Sequence, residues 1–222
     1  RGASPTGYNN YHIFKAGGCE WLVLALDWRM SNSSFEWAES VLKSHAHLPT
    51  ILTTHEIVTA DTGKAEFTEY GEEVWNKLIK DNNQVFLTLN GHFWPSGRTS
   101  RTNAAGNKVE SHITNYQNRY YGGSGMIRSY RFKMRENKID VSTFSPWTKE
   151  LVQKGQANPL SREEAELTTS ADKFAMHINF ERRFQALDKS KRSESSDDAV
   201  IKGTQAYWRF DRHEAGSPLS QL

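Results

Sequence analysis

The apolar positions of this chain fall into short runs separated by polar turns. Glu20-Trp21-Leu22-Val23-Leu24-Ala25-Leu26 is continuously apolar after its first residue, the pattern of a strand buried on both faces. Ser31 to Ser34 offers N-cap residues, and Phe35, Trp37, Ala38, Val41 and Leu42 then recur at helical spacing up to Ser44. Pro49 opens a second strand, Leu48 to Thr54, which runs into His55-Glu56. Glu69 to Lys80 carries Val74, Trp75, Leu78 and Ile79 on one helical face, and Val85 to Asn90 is a third strand running into Gly91-His92-Phe93-Trp94-Pro95. Strand, helix, strand in that order predicts a parallel crossover. His55 and His92 are thereby expected at the same carboxyl edge of one sheet, where open α/β sheets carry their sites.

Beyond His92 the period changes. Pro95 to Asn107 is rich in Ser, Thr, Arg, Asn and Gly and reads as a surface loop beside the two histidines. Val109 to Tyr116, Met126 to Met134 and Ile139 to Phe144 read as strands, the last two joined by a hairpin turn at Glu136-Asn137. Leu151 to Thr169 is polar and acidic without a strong period, and Phe174, Met176, Ile178 and Phe180 alternate as in a closing strand. At the other end, Arg1 to Gly18 reads as a loop or a broken entry strand. The pattern therefore predicts an α/β (α+β) fold in which parallel strands are followed by antiparallel ones.

Composition narrows this picture without redirecting it. The 222 residues suffice for one core, or one domain and a piece of another, and a formal net charge of +2 carries no nucleic-acid signature. No apolar run approaches the ~20 residues of a membrane helix. The single Cys19 has no partner for an internal disulfide or a thiolate metal site and reads as a packing residue. Asp188 to Asp198 is a run of Lys, Arg, Ser and Asp without large apolar residues, expected to be a linker. The chain opens on Arg1 and ends at Leu222 soon after another strand-like run, and so reads as a piece of a longer protein.

The order of motifs resembles a known family. Thr53-Thr54-His55-Glu56 after one apolar strand and Asn90-Gly91-His92 after the next resemble the last two motifs of the calcineurin-like metallophosphoesterases. Asp27-Trp28 at a strand end, Asn115-Tyr116-Gln117, and the stretch from Tyr121 to Arg128 resemble the same family's carboxy-terminal half, over roughly Gly18 to Pro146. The resemblance implies the second half of a four-layer α-β-β-α sandwich and a phosphoesterase that cleaves phosphate mono- or diesters at two divalent ions, with Fe, Zn and Mn as candidates. It makes His55 and His92 metal ligands; Asn90, Gly91, Trp94 and Asn115 are expected to shape the substrate pocket by their proximity to them alone. Gly203 to Asp211 resembles the first strand of a laminin-G or concanavalin-like domain. The expected organisation is a partial phosphoesterase domain over 1–187, a linker over 188–203 and the start of a lectin-like domain over 204–222. A glycan or surface contact and an extracellular or periplasmic setting follow from that last expectation.

Two departures separate the chain from the family's pattern. Trp94 stands where the family has a second histidine after Gly-His, and an indole has no lone pair for a metal. The upstream Asp-x-His, Gly-Asp and Gly-Asn-His segments are missing, and Asp27 reads as a structural strand-end residue. Two histidines fall short of the three protein ligands a catalytic zinc usually takes, so the chain alone is expected to be inactive. A degenerate module that binds a partner or glycan without catalysis is the alternative. His112 could substitute as a ligand; Glu56 is expected on the opposite face from His55, behind the ligand as its support or as an ion-pair partner rather than a general acid; and Arg98, Arg101, Arg119 and Arg128 flank the same edge as candidate phosphate contacts or solvated charges. Gly122-Gly123-Ser124-Gly125 lacks the spacing of a nucleophile elbow, and there is no P-loop, dinucleotide fingerprint or His-Glu-x-x-His helix.

Overall fold

A computed structural model describes residues 1–61 and 64–184. The linker and the lectin-like start expected after residue 187 lie outside the described residues.

Thirteen strands form among the described residues, in two sheets. In chain order they are β1 (Gly2–Ala3), β2 (Asn10–Ala16), β3 (Cys19–Ala25), β4 (Thr50–Thr53), β5 (Val58–Asp61), β6 (Lys64–Phe67), β7 (Val85–Asn90), β8 (Gly97–Thr102), β9 (Lys108–Ile113), β10 (Ile127–Lys133), β11 (Lys138–Phe144), β12 (Glu166–Leu167) and β13 (Phe174–His177). The larger sheet has the order β1-β2-β3-β4-β7-β9-β8-β6-β5; β10, β11, β12 and β13 make a second, antiparallel sheet.

At the centre of the larger sheet β3, β4, β7 and β9 run parallel, and their carboxyl ends form one edge. Helix α1 (Asn32–Ser44) makes the β3–β4 crossover, capped by the Ser31 hydroxyl on the Ser34 N–H, and buries Phe35, Ala38, Val41 and Leu42. Helix α2 (Glu69–Val74), continued by a π-helical turn over Trp75–Ile79, precedes β7 and buries Val74, Trp75, Leu78 and Ile79. These stripes meet Leu22, Leu24 and Leu52 in one apolar layer. Each such aliphatic side chain contributes roughly 1.5–3 kcal/mol when fully buried.

The opposite face of the sheet supplies Trp21, Phe86 and Leu87 to a second apolar layer, closed by Ile139, Val141, Met176, Ile178, Phe180 and Phe184. Alternation along β3 sends Leu22 and Leu24 to the helices and Trp21 to the second sheet, so the strand is covered on both sides. Behind the carboxyl edge the sheets are pinned by a buried ion pair: Arg128 Nη2 lies 2.7 Å from Asp172 Oδ1. Arg128 also donates to the Ile113 and Ala171 carbonyls and to Thr143 Oγ1, while Ser96 and Thr169 hydroxyls donate to Asp172. Both of these charges are paired and hydrogen-bonded, the condition under which burial is tolerated.

Three segments differ from the sequence expectation. Residues 10–16 form β2, antiparallel to β3, with Tyr11 and Ile13 packed against the core. Gly97–Thr102 within the expected loop is β8, antiparallel to β9. The expected closing strand ends at His177, and Phe180–Arg183 is a helical turn that seats Phe180 under Trp21.

Candidate functional site

The carboxyl ends of β3, β4 and β7 are knitted together before any side chain leaves them. Thr54 donates its N–H to the Leu89 carbonyl and its hydroxyl to the Asp27 carbonyl, and Gly91 N–H reaches the His55 carbonyl at 3.2 Å. Phe93 N–H then bonds back to the Gly91 carbonyl at 2.7 Å, which makes His92 the apex of a three-residue turn at φ +60°. Histidine is enriched in this left-handed region relative to most residues, and a strained backbone of this kind concentrates at functional sites.

The two imidazoles meet at this edge. His92 Nδ1 lies 3.0 Å from His55 Nε2, with ring centroids 4.8 Å apart, and both residues are exposed. The separation suits a hydrogen bond between neutral rings, one nitrogen donating and the other accepting. It also suits two adjacent ligands on one cation: nitrogens ~2.0–2.1 Å from a metal are roughly 2.9–3.4 Å apart for angles from a right angle to tetrahedral. Among the described residues no group of three or more His, Cys, Asp or Glu could hold a metal. The pair thus fits as two ligands of a larger set, and a complete set is not present among those residues.

Around the pair, Trp28 lies with its indole 5.0 Å from the His55 ring and 4.9 Å from the His92 ring. Its Nε1–H donates to Glu56 Oε2 at 2.8 Å, and Arg29 stands 3.6 Å from the same oxygen. Glu56 is only 3% exposed. Burial pushes its carboxyl up; hydrogen bonds from Trp28 and Thr68 and the charge of Arg29 outweigh that and hold it below the ordinary carboxylate range.

The remaining candidates divide by what their polar atoms touch. Asn90 is buried and exchanges hydrogen bonds with the Val58 backbone, so its amide bridges β7 to the start of β5. Asn115 Nδ2 donates to the His92 and Phe93 carbonyls and holds the His92 turn from behind. Gly91 has open space where a Cβ would stand. Trp94 is exposed, joined to Pro95 by a cis peptide bond, with the Arg119 guanidinium 5.9 Å from its ring.

His112 is sealed between the sheets. Its Nδ1 lies 3.0 Å from the Tyr130 hydroxyl and its Nε2 has no hydrogen-bond partner. Burial lowers its pKa, and its ring, unlike those of the exposed pair, has no solvent-facing surface. Three of the four flanking arginines are engaged by carboxylates: Arg101 by Glu72, Arg119 by Glu164 and Arg128 by Asp172. Arg98 donates to the Ser170 carbonyl and covers Phe174. Asp27 caps the Trp28 N–H with its carboxylate, as a strand-end structural residue does. Cys19 is buried in the layer between the sheets, where desolvation pushes its thiol up to about 11.

Sequence reasoning missed the part played by Trp28. Its place at the end of the strand neighbouring the His55 strand was a usable signal.

No protein-family model matches the chain. Over 155 residues, 67% of its length, it is 25% identical to the uncharacterized protein YvnB of Bacillus subtilis (strain 168). The match spans 12% of that protein's own length.

Proposed function

We propose that this chain carries the carboxy-terminal half of a calcineurin-like metallophosphoesterase domain within a longer protein that hydrolyses phosphate mono- or diesters. His55 and His92 are two of its metal ligands, and the others come from outside the described residues. The observation that carries this reading is the 3.0 Å approach of His55 Nε2 and His92 Nδ1 at the carboxyl ends of neighbouring parallel strands. A divalent cation held there would polarise a phosphoryl oxygen and lower the pKa of a bound water. Asn115 and Asn90 fix the loops that present the rings, and Trp94 walls the pocket beside His92. In this reading the helix layer and the two sheets belong to a four-layer α-β-β-α sandwich. The extracellular setting and the glycan contact remain attached to the lectin-like start at 204–222.

The test is hydrolysis of bis(4-nitrophenyl) phosphate and 4-nitrophenyl phosphate by the longer protein with added Mn²⁺, Zn²⁺ or Fe²⁺. His55→Ala and His92→Ala should each reduce turnover roughly 100-fold or more, as expected when a catalytic cation loses a ligand. Full turnover in both variants would overturn the proposal. The second reading, a binding module without catalysis, is favoured by Trp94 at a usual ligand position. It predicts no metal-dependent turnover even in the unaltered longer protein.

A further inference from the structure

We propose that Glu56 is a positioning residue: its buried carboxylate anchors the Trp28 indole, and the indole sets the facing angle of the His55 and His92 rings. The inference concerns the free pair; only its consequence for cation affinity rests on the metal reading above.

Two exposed imidazoles on neighbouring loops have rotamer freedom that a fixed 3.0 Å approach must overcome. Phe93 packs on the His92 ring at 4.6 Å, and the surface that meets both rings is the Trp28 indole, at interplanar angles of 66° and 43°. An indole that is itself 40% exposed needs an anchor. Its main chain is held by Asp27 and Asn9: Trp28 N–H donates to Asp27 Oδ1, and Asp27 N–H donates to Asn9 Oδ1. The ring has a single polar atom, Nε1, and Glu56 takes its proton in a charge-assisted bond of 2.8 Å. Arg29, at φ +55°, brings its guanidinium over the indole at 5.2 Å and beside the same carboxylate.

Glu56 is not well placed to be a ligand itself. Its Oε2 is engaged by Trp28 and Arg29, and no metal-holding group among the described residues includes it. Nor does the core call for a charge at this depth, because desolvating a carboxylate costs several kcal/mol before any partner is counted. The position is accounted for by what the carboxylate holds.

The experiment follows the His55 and His92 ring resonances by NMR in the full 222-residue chain without metal. Trp28→Leu removes the indole's ring current and defines the shift of an unrestrained pair. Glu56→Ala should move both histidines toward those positions, whereas Glu56→Gln, which keeps an acceptor for the indole N–H, should leave them near the wild-type ones. Trp28→Phe, which keeps a ring and loses the N–H, should shift them as Glu56→Ala does, and it gives the reading if Glu56→Ala fails to fold. Wild-type histidine positions in a folded Glu56→Ala or in Trp28→Phe would overturn the proposal. A Zn²⁺ titration of the same substitutions made in the longer protein, which supplies the remaining ligands, should then show affinity falling roughly 10-fold in Glu56→Ala and little in Glu56→Gln. Absence of Zn²⁺ binding in the wild type would count against the metal reading while leaving the ring positions to decide the anchor.

Discussion

The buried Glu56 carboxylate that accepts the Trp28 indole N–H has a signature in pH. The Glu56 carboxyl lies below its ordinary value of 4.5 in the folded chain, so its contribution to stability is complete above about that pH. It is lost as pH falls through the folded value. Glu56→Gln should therefore cost about 1 kcal/mol at neutral pH, where a charged hydrogen bond is replaced by a neutral one. The difference from wild type should close below pH 4.5, as urea unfolding at a series of pH values would show; a difference constant with pH would contradict this account. At this scale the sequence was informative where chemistry sits at a strand end. His55 and His92 are legible because each directly follows a buried apolar run. The tasks of Asn90 and Asn115 were not, because an amide that bonds to a distant backbone looks in sequence like one that faces solvent. The arginines misled for the same reason: their carboxylate partners stand 29 to 45 residues away.

The elements that present the site depend on one close approach. Gly71 in α2 lies against the strand-to-hairpin segment after His55, and a Cβ there would fall 1.8 Å from the Ile57 carbonyl oxygen. The same oxygen accepts the Thr68 N–H, and the Thr68 hydroxyl caps α2 at Gly71 N–H. Gly71→Ala must push the helix from that segment and should destabilise the chain by roughly 3 kcal/mol, the upper part of the usual overpacking range. Glu73→Ala on the outer face of α2 should stay within about 0.5 kcal/mol. Equal midpoints for the two in urea denaturation would contradict this packing. Helices α1 and α2 and the parallel strands were readable because their apolar spacing matches one period throughout. β8 was not, since Gly97–Thr102 has no apolar side chain. Its Arg98 guanidinium lies over Phe174 and its Arg101 guanidinium over Phe67 and Trp75, cation–π contacts at positions that periodicity counts only as polar. β2 escaped similarly, because Tyr11 and Ile13 alternate with exposed residues in a stretch rich in Gly and Asn.

Across the whole molecule, two apolar layers on opposite faces of one sheet leave its carboxyl edge free to carry chemistry. The alternation of parallel and antiparallel segments was legible in the strand order. The membership of β9 in the larger sheet was not, because partner choice is made by contacts beyond the reach of local pattern. No helix among the described residues is long and apolar enough to cross a membrane. The central claim is that two imidazoles on neighbouring strands act on one cation. The most direct measurement is a calorimetric Zn²⁺ titration of the longer protein as wild type, His55→Ala, His92→Ala and the double variant. Two ligands of one ion act as a unit, so each single substitution should weaken binding nearly as much as both together. Binding left intact by either single substitution would contradict the account.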